Sequence, residues 1–483
     1  MTWRDEYRQK LTSSAEAVGI VENGDRVIVP LTEQPVGLVN SLAARSDLDG
    51  VMVTISTSGF DPGGLLDAGH SVEFENFLGP FARPYEHEGR APYLPLAFSL
   101  SFKAVDERPS EAKPIDVAMV TVTPPNEDGM LSFGPQPWFK RAYARRARKV
   151  IAEVNPKLAR TFGDCFLPVS AFDRLVEIDP PTVTREELRN AISGFDHGYR
   201  HELEEMIEAV DPIRFAPLMS RLDSLDLERL KTGWGIDDPT PEAKAIAEHV
   251  EKLIPDGASI QIGVGKPSFY LARLGVLDNK LDLGLHTELV VPGVAKLVEA
   301  GVINGSKKTL HKGKAVAVAW SGSDDADYAV IDGNPAFELY EPSYVLNPMV
   351  MARNSRQIGM NNALSVDLLG QINSESIFGG QMVNGIGGQP DAHMGALYSH
   401  GGRAITLLYS TAVGGAVSRI VPRLAEGEIV TIPRFWADTI VTEYGVAKLV
   451  GKNHSERAEA LIAIAHPDFH RELRRDAAKW VGD

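Results

Sequence analysis

A chain of 483 residues with 65 acidic against 49 basic side chains has a net charge of −16, which excludes the basic field of a general nucleic-acid binder. Hydrophobic residues at 43 % and charged residues at 24 % are ordinary globular values, so a chain of this length can build more than one core. The single cysteine, Cys165, rules out an internal disulfide framework and a thiolate-rich metal site.

The first residues, MTWRDEYRQKL, lack the basic-then-apolar order of a signal peptide, and no apolar run approaches the roughly 18 residues of a membrane span. The expectation is a soluble cytoplasmic protein without a membrane partner. Residues 1–20 read as an amphipathic helix. Glu22 to Asp25 form a turn, Arg26–Pro30 a short strand, Val36–Ser46 a helix and Val51–Ser56 a second strand. Apolar strands and helices then alternate to about residue 180, the pattern of a largely parallel sheet covered by helices.

Pro124-Pro125-Asn126-Glu127-Asp128-Gly129 follows the strand Val117–Val122; it could line a site or simply be a stiff turn. The basic cluster from Lys140 to Lys149 reads as a helix with a solvated face rather than a phosphate-binding patch. From about Thr184 to Lys252 helical patterns dominate. The run Asp237-Asp238-Pro239-Thr240-Pro241 reads as a linker, dividing the chain into 1–235 and 236–483, and Pro241 opens a new helix.

The stretch from Ile254 to Gly293 is where chemistry first shows. A short strand, Ser259–Ile262, runs into Gly263-Val264-Gly265 and a helix-like segment; a second apolar strand ends in His286-Thr287-Glu288. A Gly-x-Gly turn after a strand brings exposed N–H groups close to a ligand. It is also a common tight turn, and Ser268 in the third glycine place makes a poor dinucleotide fingerprint. A carboxylate at a strand end sits at the rim where α/β sheets collect their chemistry, although a lone glutamate there is often only solvated. The reading adopted is that Glu288 is a covalent nucleophile faced by this loop.

Two features extend that reading. Residues 156–177 and 422–443 have equal length, share Pro-basic-Leu-Ala at the front and end in Glu, and both halves open with a turn and a strand; this points to a diverged duplication. Three segments also concentrate glycine or asparagine at expected strand ends: Gly359 to Asp367, Val383 to Asp391 and Ser410 to Gly415. The run Gly385-Ile386-Gly387-Gly388 can expose successive backbone N–H groups, or serve a close strand–helix crossing.

In this order, DVAMVTVTPPNEDGMLSFG, VNPKLARTFGD, QIGVG, DLGLHTE, the Asn361 segment, NGIGGQPD, SRIVP and VTEYGVAKLVGK resemble the acetyl-CoA hydrolase/transferase family, the class I CoA-transferases. The resemblance implies two similar open α/β domains of the NagB/RpiA-like type with the active site between them, usually in a homodimer. It implies an acyl-CoA:carboxylate CoA-transferase acting on acyl-CoA and a small carboxylic acid. Glu288 then carries an acyl-glutamyl anhydride and a glutamyl-CoA thioester. Val264 and Gly388 supply the oxyanion-hole N–H groups, and Asn361 contacts substrate or intermediate. Gly263, Val264, Gly265, Lys266 and Pro267, with Gly385, Gly387 and Gly388, contact coenzyme A.

The chemistry so implied needs no metal and no cofactor beyond coenzyme A as substrate, since each attacking group is expected to be an anion at neutral pH. Hydrolysis of acyl-CoA at the same site is the alternative. A nucleotide-dependent oxidoreductase, a non-catalytic coenzyme A binder, a metal site at His87-Glu88 and Cys165 as nucleophile are weaker readings. The chain departs from the family at Val413, where relatives have lysine, and Lys266 is a candidate replacement for that cation. Departures at Pro267, the loop 30–35 and the long helical stretch near 185–235 bear on acyl specificity rather than on the chemistry.

Overall fold

In the computed structural model, which describes residues 2–481 except 181–183, 211–214, 216, 217, 219–221, 223, 224, 226, 235, 321–328 and 378, the apolar runs of each half pair into one sheet. The first half supplies β1 (Arg26–Val29), β2 (Met52–Ser56), β3 (Ser71–Glu75), β4 (Tyr93–Leu94), β5 (Val117–Val122), β6 (Lys149–Val154), β7 (Phe162–Gly163) and β8 (Arg174–Glu177). All but β7 form a parallel sheet in the order β8-β6-β5-β1-β2-β3-β4. β5 is buried at every residue, as a central strand covered on both faces must be.

The second half supplies β9 (Ser259–Ile262), β10 (Gly284–Val290), β11 (Ala315–Trp320), β12 (Phe337–Leu339), β13 (Gln357–Asn362), β14 (Arg403–Leu407), β15 (Thr439–Thr442) and β16 (Gly445–Lys448). Their sheet runs β16-β15-β14-β13-β9-β10-β11-β12-β7, parallel but for the β15–β16 pair, with β7 lent by the first half. Counted from its own first strand, each sheet contains the run seventh, sixth, fifth, first, second, third, fourth, which the second sheet extends by β16 at one edge and β7 at the other. The segments 156–177 and 422–443 both lead into the seventh strand of their sheet, so the faint sequence echo has a common architecture beneath it.

This order fixes where a ligand crevice opens. The chain leaves the first strand in one direction and returns to the fifth on its other side, so loops diverge between their carboxyl ends. In the second half those ends are Ile262 and Asn362. A shared apolar layer joins the halves: Ile28, Phe98, Phe139 and Tyr143 of the first pack with Leu289, Val318, Leu346 and Ala392 of the second.

Two local expectations are revised. The helix expected over 1–20 is broken: Trp3–Lys10 stops as Leu11 bridges to Leu175, and Ser13 caps a separate turn at Ser14–Ala17. The basic cluster is not a simple solvated face. Lys140 is 1 % exposed and its Nζ reaches Glu33 Oε2 at 2.9 Å, while Arg141 bonds Asp164 and Glu341. Its partners are distant in sequence, so the local pattern could not reveal the burial. The long helical stretch contains helices Arg185–Ala191, His197–Ala209 and Leu227–Trp234 around a small core of its own, including Leu188, Leu203, Met206 and Ile207.

Candidate active site

Glu288 does not end its strand. β10 continues to Val290 because β11 stays paired with it as far as Val290 opposite Trp320. On the other side β9 stops at Ile262, whose N–H donates to Thr287 Oγ1 at 3.2 Å. The parallel register of β9 with β10 therefore puts Gly263, the first residue of the glycine loop, beside Glu288. With β9 and β13 paired as Ile262 opposite Met360, Asn361 falls at the same level, so Asn361, Gly263 and Glu288 lie side by side on three adjacent strands.

Glu288 is 4 % exposed, and its Oε1 is buried without a hydrogen-bond partner among the described residues. Burial pushes its carboxyl up to about 8; the charge of Asp391 adds to the rise, and the Gly388 N–H, donating to the carboxylate, opposes it. The expectation of a nucleophile already ionised at neutral pH is thereby revised: in the free protein the group is largely protonated near pH 7. A neighbour on the same strand face, His286, is buried with Nε2 against the Val345 carbonyl at 2.8 Å, and burial lowers it to about 3, so it stays neutral.

The loop after β9 is fastened by side chains of β13. Asn361 and Gln261 exchange amide hydrogen bonds at 3.1 and 3.2 Å. A Cβ at Gly263 would stand 2.5 Å from Asn361 Oδ1, so only glycine lets the chain pass there. Asn362 Nδ2 donates to the Val264 carbonyl at 2.8 Å, and Ser268, in the place of a third glycine, turns its hydroxyl back onto the Gly263 carbonyl at 2.6 Å. Val264 itself is exposed, one residue beyond the level of Glu288.

The second glycine loop runs between the two halves. A Cβ at Gly385 would strike the Asn76 carbonyl oxygen, one at Gly387 would strike the Phe77 ring, and one at Gly388 would strike the Glu288 carboxylate. Tyr93 ties this crossing: its hydroxyl accepts from the Ile386 N–H at 3.0 Å and donates to the Asn76 carbonyl at 2.9 Å. Asn76, just past β3, holds a left-handed φ of 68°, a costly conformation of the kind that gathers at functional sites. Gly388 then caps the helix Gln389–Tyr398, and in its first turn Asp391 accepts from both the N–H and the hydroxyl of Ser99 at 2.8 and 2.7 Å.

Thus Glu288, Gly388, Gly263 and Asn361 converge, and Gly385 and Gly387 carry the loop across the interface. Lys266 and Pro267 lie farther along the first loop. Lys266 is paired with Asp237 and lies over the Tyr270 ring, so the proposed substitute cation is already engaged by a carboxylate. Val413 is exposed at the tip of the hairpin Thr411–Ala412 and Val417–Ser418. Cys165 is buried, its thiol raised to about 11 by desolvation, and it behaves as a core residue. Sequence reasoning missed Ser99, Asn76, Phe77 and Tyr93, and gave no role to Asp391, although NGIGGQPD contains it.

Comparison with known proteins identifies the family. Residues 1–185 match the acetyl-CoA hydrolase/transferase N-terminal domain, and residues 324–477 the C-terminal domain of the same family. The chain is 36 % identical to the 4-hydroxybutyrate coenzyme A transferase of Clostridium kluyveri, over 99 % of this chain and 100 % of that protein. It is 32 % identical to the succinyl-CoA:cyclohexane-1-carboxylate CoA transferase of Geobacter metallireducens, over 99 % of this chain and 97 % of that one. Among solved structures, RipA from Yersinia pestis superposes with a TM-score of 0.80 at 29 % identity, covering 100 % of this chain and 99 % of that one. The fold is the class I CoA-transferase fold, and the chain belongs to the acetyl-CoA hydrolase/transferase family as a CoA-transferase.

Proposed function

We propose that this protein moves coenzyme A from an acyl-CoA to a free carboxylic acid by ping-pong chemistry on Glu288. The observation that carries the reading is a buried carboxylate with one oxygen unpartnered among the described residues and the other end of its site formed by the Gly388 N–H. A carboxylate is a weak nucleophile in water because it is well solvated. Here it is stripped of solvent beside a fixed donor, and each such donor is worth about 3–4 kcal/mol to a developing oxyanion.

The bonds balance without a further reagent. A Glu288 oxygen bonds to the thioester carbonyl carbon and the carbon–sulfur bond breaks, giving a mixed anhydride and the coenzyme A thiolate. That sulfur then bonds to the Glu288 carbonyl carbon, and the first acid leaves as carboxylate. The acceptor acid repeats both steps in reverse. Val264 and Gly388 take the oxyanion-donor roles, Asn361, bonded to Gln261 beside the first glycine loop, contacts the acyl group, and residues 263–267 with Gly385 and Gly387 approach coenzyme A. We read the chain as two units, 1–235 and 236–483, acting in the cytoplasm as a homodimer, with no metal and no resident cofactor in the scheme.

Initial rates across a matrix of acyl-CoA and carboxylate concentrations test the reading. Parallel double-reciprocal lines, abolished in Glu288→Gln, support it; intersecting lines, or an active Glu288→Gln protein, refute it. Thioester hydrolysis that persists without an acceptor acid would favour acyl-CoA hydrolysis at the same site.

A further inference from the structure

We infer that Asp391 is a positioning residue that sets the charge balance of the nucleophile: held across the interface by Ser99, it keeps a second negative charge beside Glu288 that covalent bonding to substrate relieves. This rests on Glu288 being the nucleophile.

The geometry gives two independent grounds. Asp391 is 4 % exposed, and its two oxygens are taken by the N–H and hydroxyl of one residue 292 positions away in the other half. An acidic residue in a first helical turn ordinarily serves the free N–H groups of its own helix. Asp391 instead turns its oxygens to the Ser99 N–H and hydroxyl and to the Phe98 N–H, which seats the Gly388 end of that helix against the first half. Second, Asp391 lies in the turn that begins at Gly388, and Gly388 donates to Glu288, so the two carboxyls share one small buried site.

Among the described residues, no cation contributes to the ionisation of either carboxyl. Ser99, Gln261 and Asn361 are neutral polar residues, Val318 and Leu346 are apolar, and His286 is held neutral by burial. Asp391 is the charged group whose field raises Glu288, while its own carboxyl, buried but hydrogen-bonded by Ser99, stands at about 6. When Glu288 loses its charge to the thioester carbonyl, the repulsion between the two disappears. The same charge that makes ionisation harder therefore favours the bonded state over the free carboxylate.

The test uses the full-length protein and the pH profile of kcat/KM for acyl-CoA. Asp391→Asn keeps the shape and an acceptor for the Ser99 N–H but removes the charge. Its acid limb is expected to move to lower pH by about half a unit or more, so that about threefold more of its limiting rate survives on the acid side. Ser99→Ala leaves the carboxylate with one donor fewer, which makes it hold its proton to higher pH, and the limb should move the same way by less. A limb unmoved in both folded variants overturns the inference, because a purely structural residue would lower the rate without displacing the limb. Each protein is also incubated with acyl-CoA and its Glu288 peptide examined for bound coenzyme A. An adduct in the wild type with an unmoved limb refutes Asp391 alone; no adduct in the wild type refutes the nucleophile itself.

Discussion

Replacing Gly388 by alanine isolates the contact on which the site turns. The backbone there has φ −89° and ψ 0°, which alanine adopts without strain, so the added methyl acts through space alone. Built on the present backbone, it would strike Glu288 Oε2 and stand 2.8 Å from Leu346 Cδ1. The carboxyl must then retreat by about 1 Å, and a displacement of that size costs about a hundredfold in rate. Alanine keeps the backbone N–H, so the donor itself remains and the loss comes from the displaced carboxyl: kcat should fall about 10²-fold. Crowding at Leu346 should lower stability by about 1–3 kcal/mol. The assay is coenzyme A exchange between an acyl-CoA and a labelled carboxylate, with thermal unfolding measured in parallel. A Gly388→Ala protein that unfolds like the wild type and keeps its kcat within threefold would refute the argument.

Other predictions follow from the same environment. Glu288 must be ionised to attack and stands at about 8 in the free protein, so kcat/KM should rise with pH and level off above that value; a flat profile from pH 6 to 9 would contradict it. Stability runs the opposite way. With the carboxyl at 4.5 when unfolded and about 8 when folded, the folded state binds the extra proton between those values, so the stability Glu288 contributes below pH 4.5 is lost by pH 8. Glu288→Gln should therefore be more stable than the wild type above pH 8, by on the order of 4 kcal/mol, with the gain absent near pH 4; equal unfolding midpoints at both pH values would contradict this. Asn361→Ala removes the amide that lies against Gly263 and exchanges hydrogen bonds with Gln261, and should lower kcat about 10- to 100-fold with a modest loss of stability.

Much of the frame was legible in the sequence because local rules set it. β5 emerges residue for residue from its apolar run and β9 from its alternating one, and the helix at Pro241 starts where Thr240 can cap it. Glu288 and Gly388 were legible through the family motifs that contain them. What local patterns could not give is what pairing across the chain decides. β10 extends past Glu288 because β11 continues beside it. Lys140 is buried because Glu33, 107 residues away, receives it. The first half's share of the site, Asn76, Phe77, Tyr93 and Ser99, meets the second glycine loop across about 300 residues of chain, and nothing in its own neighbourhood announces that meeting.

The central claim is a covalent one, and mass analysis of the protein quenched during turnover tests it most directly. After mixing with acyl-CoA, proteolysis should yield the peptide containing Glu288 with coenzyme A attached, sensitive to hydroxylamine and discharged by an added carboxylic acid. Coenzyme A on another residue, or turnover with the Glu288 peptide never modified under any quench, would contradict the account.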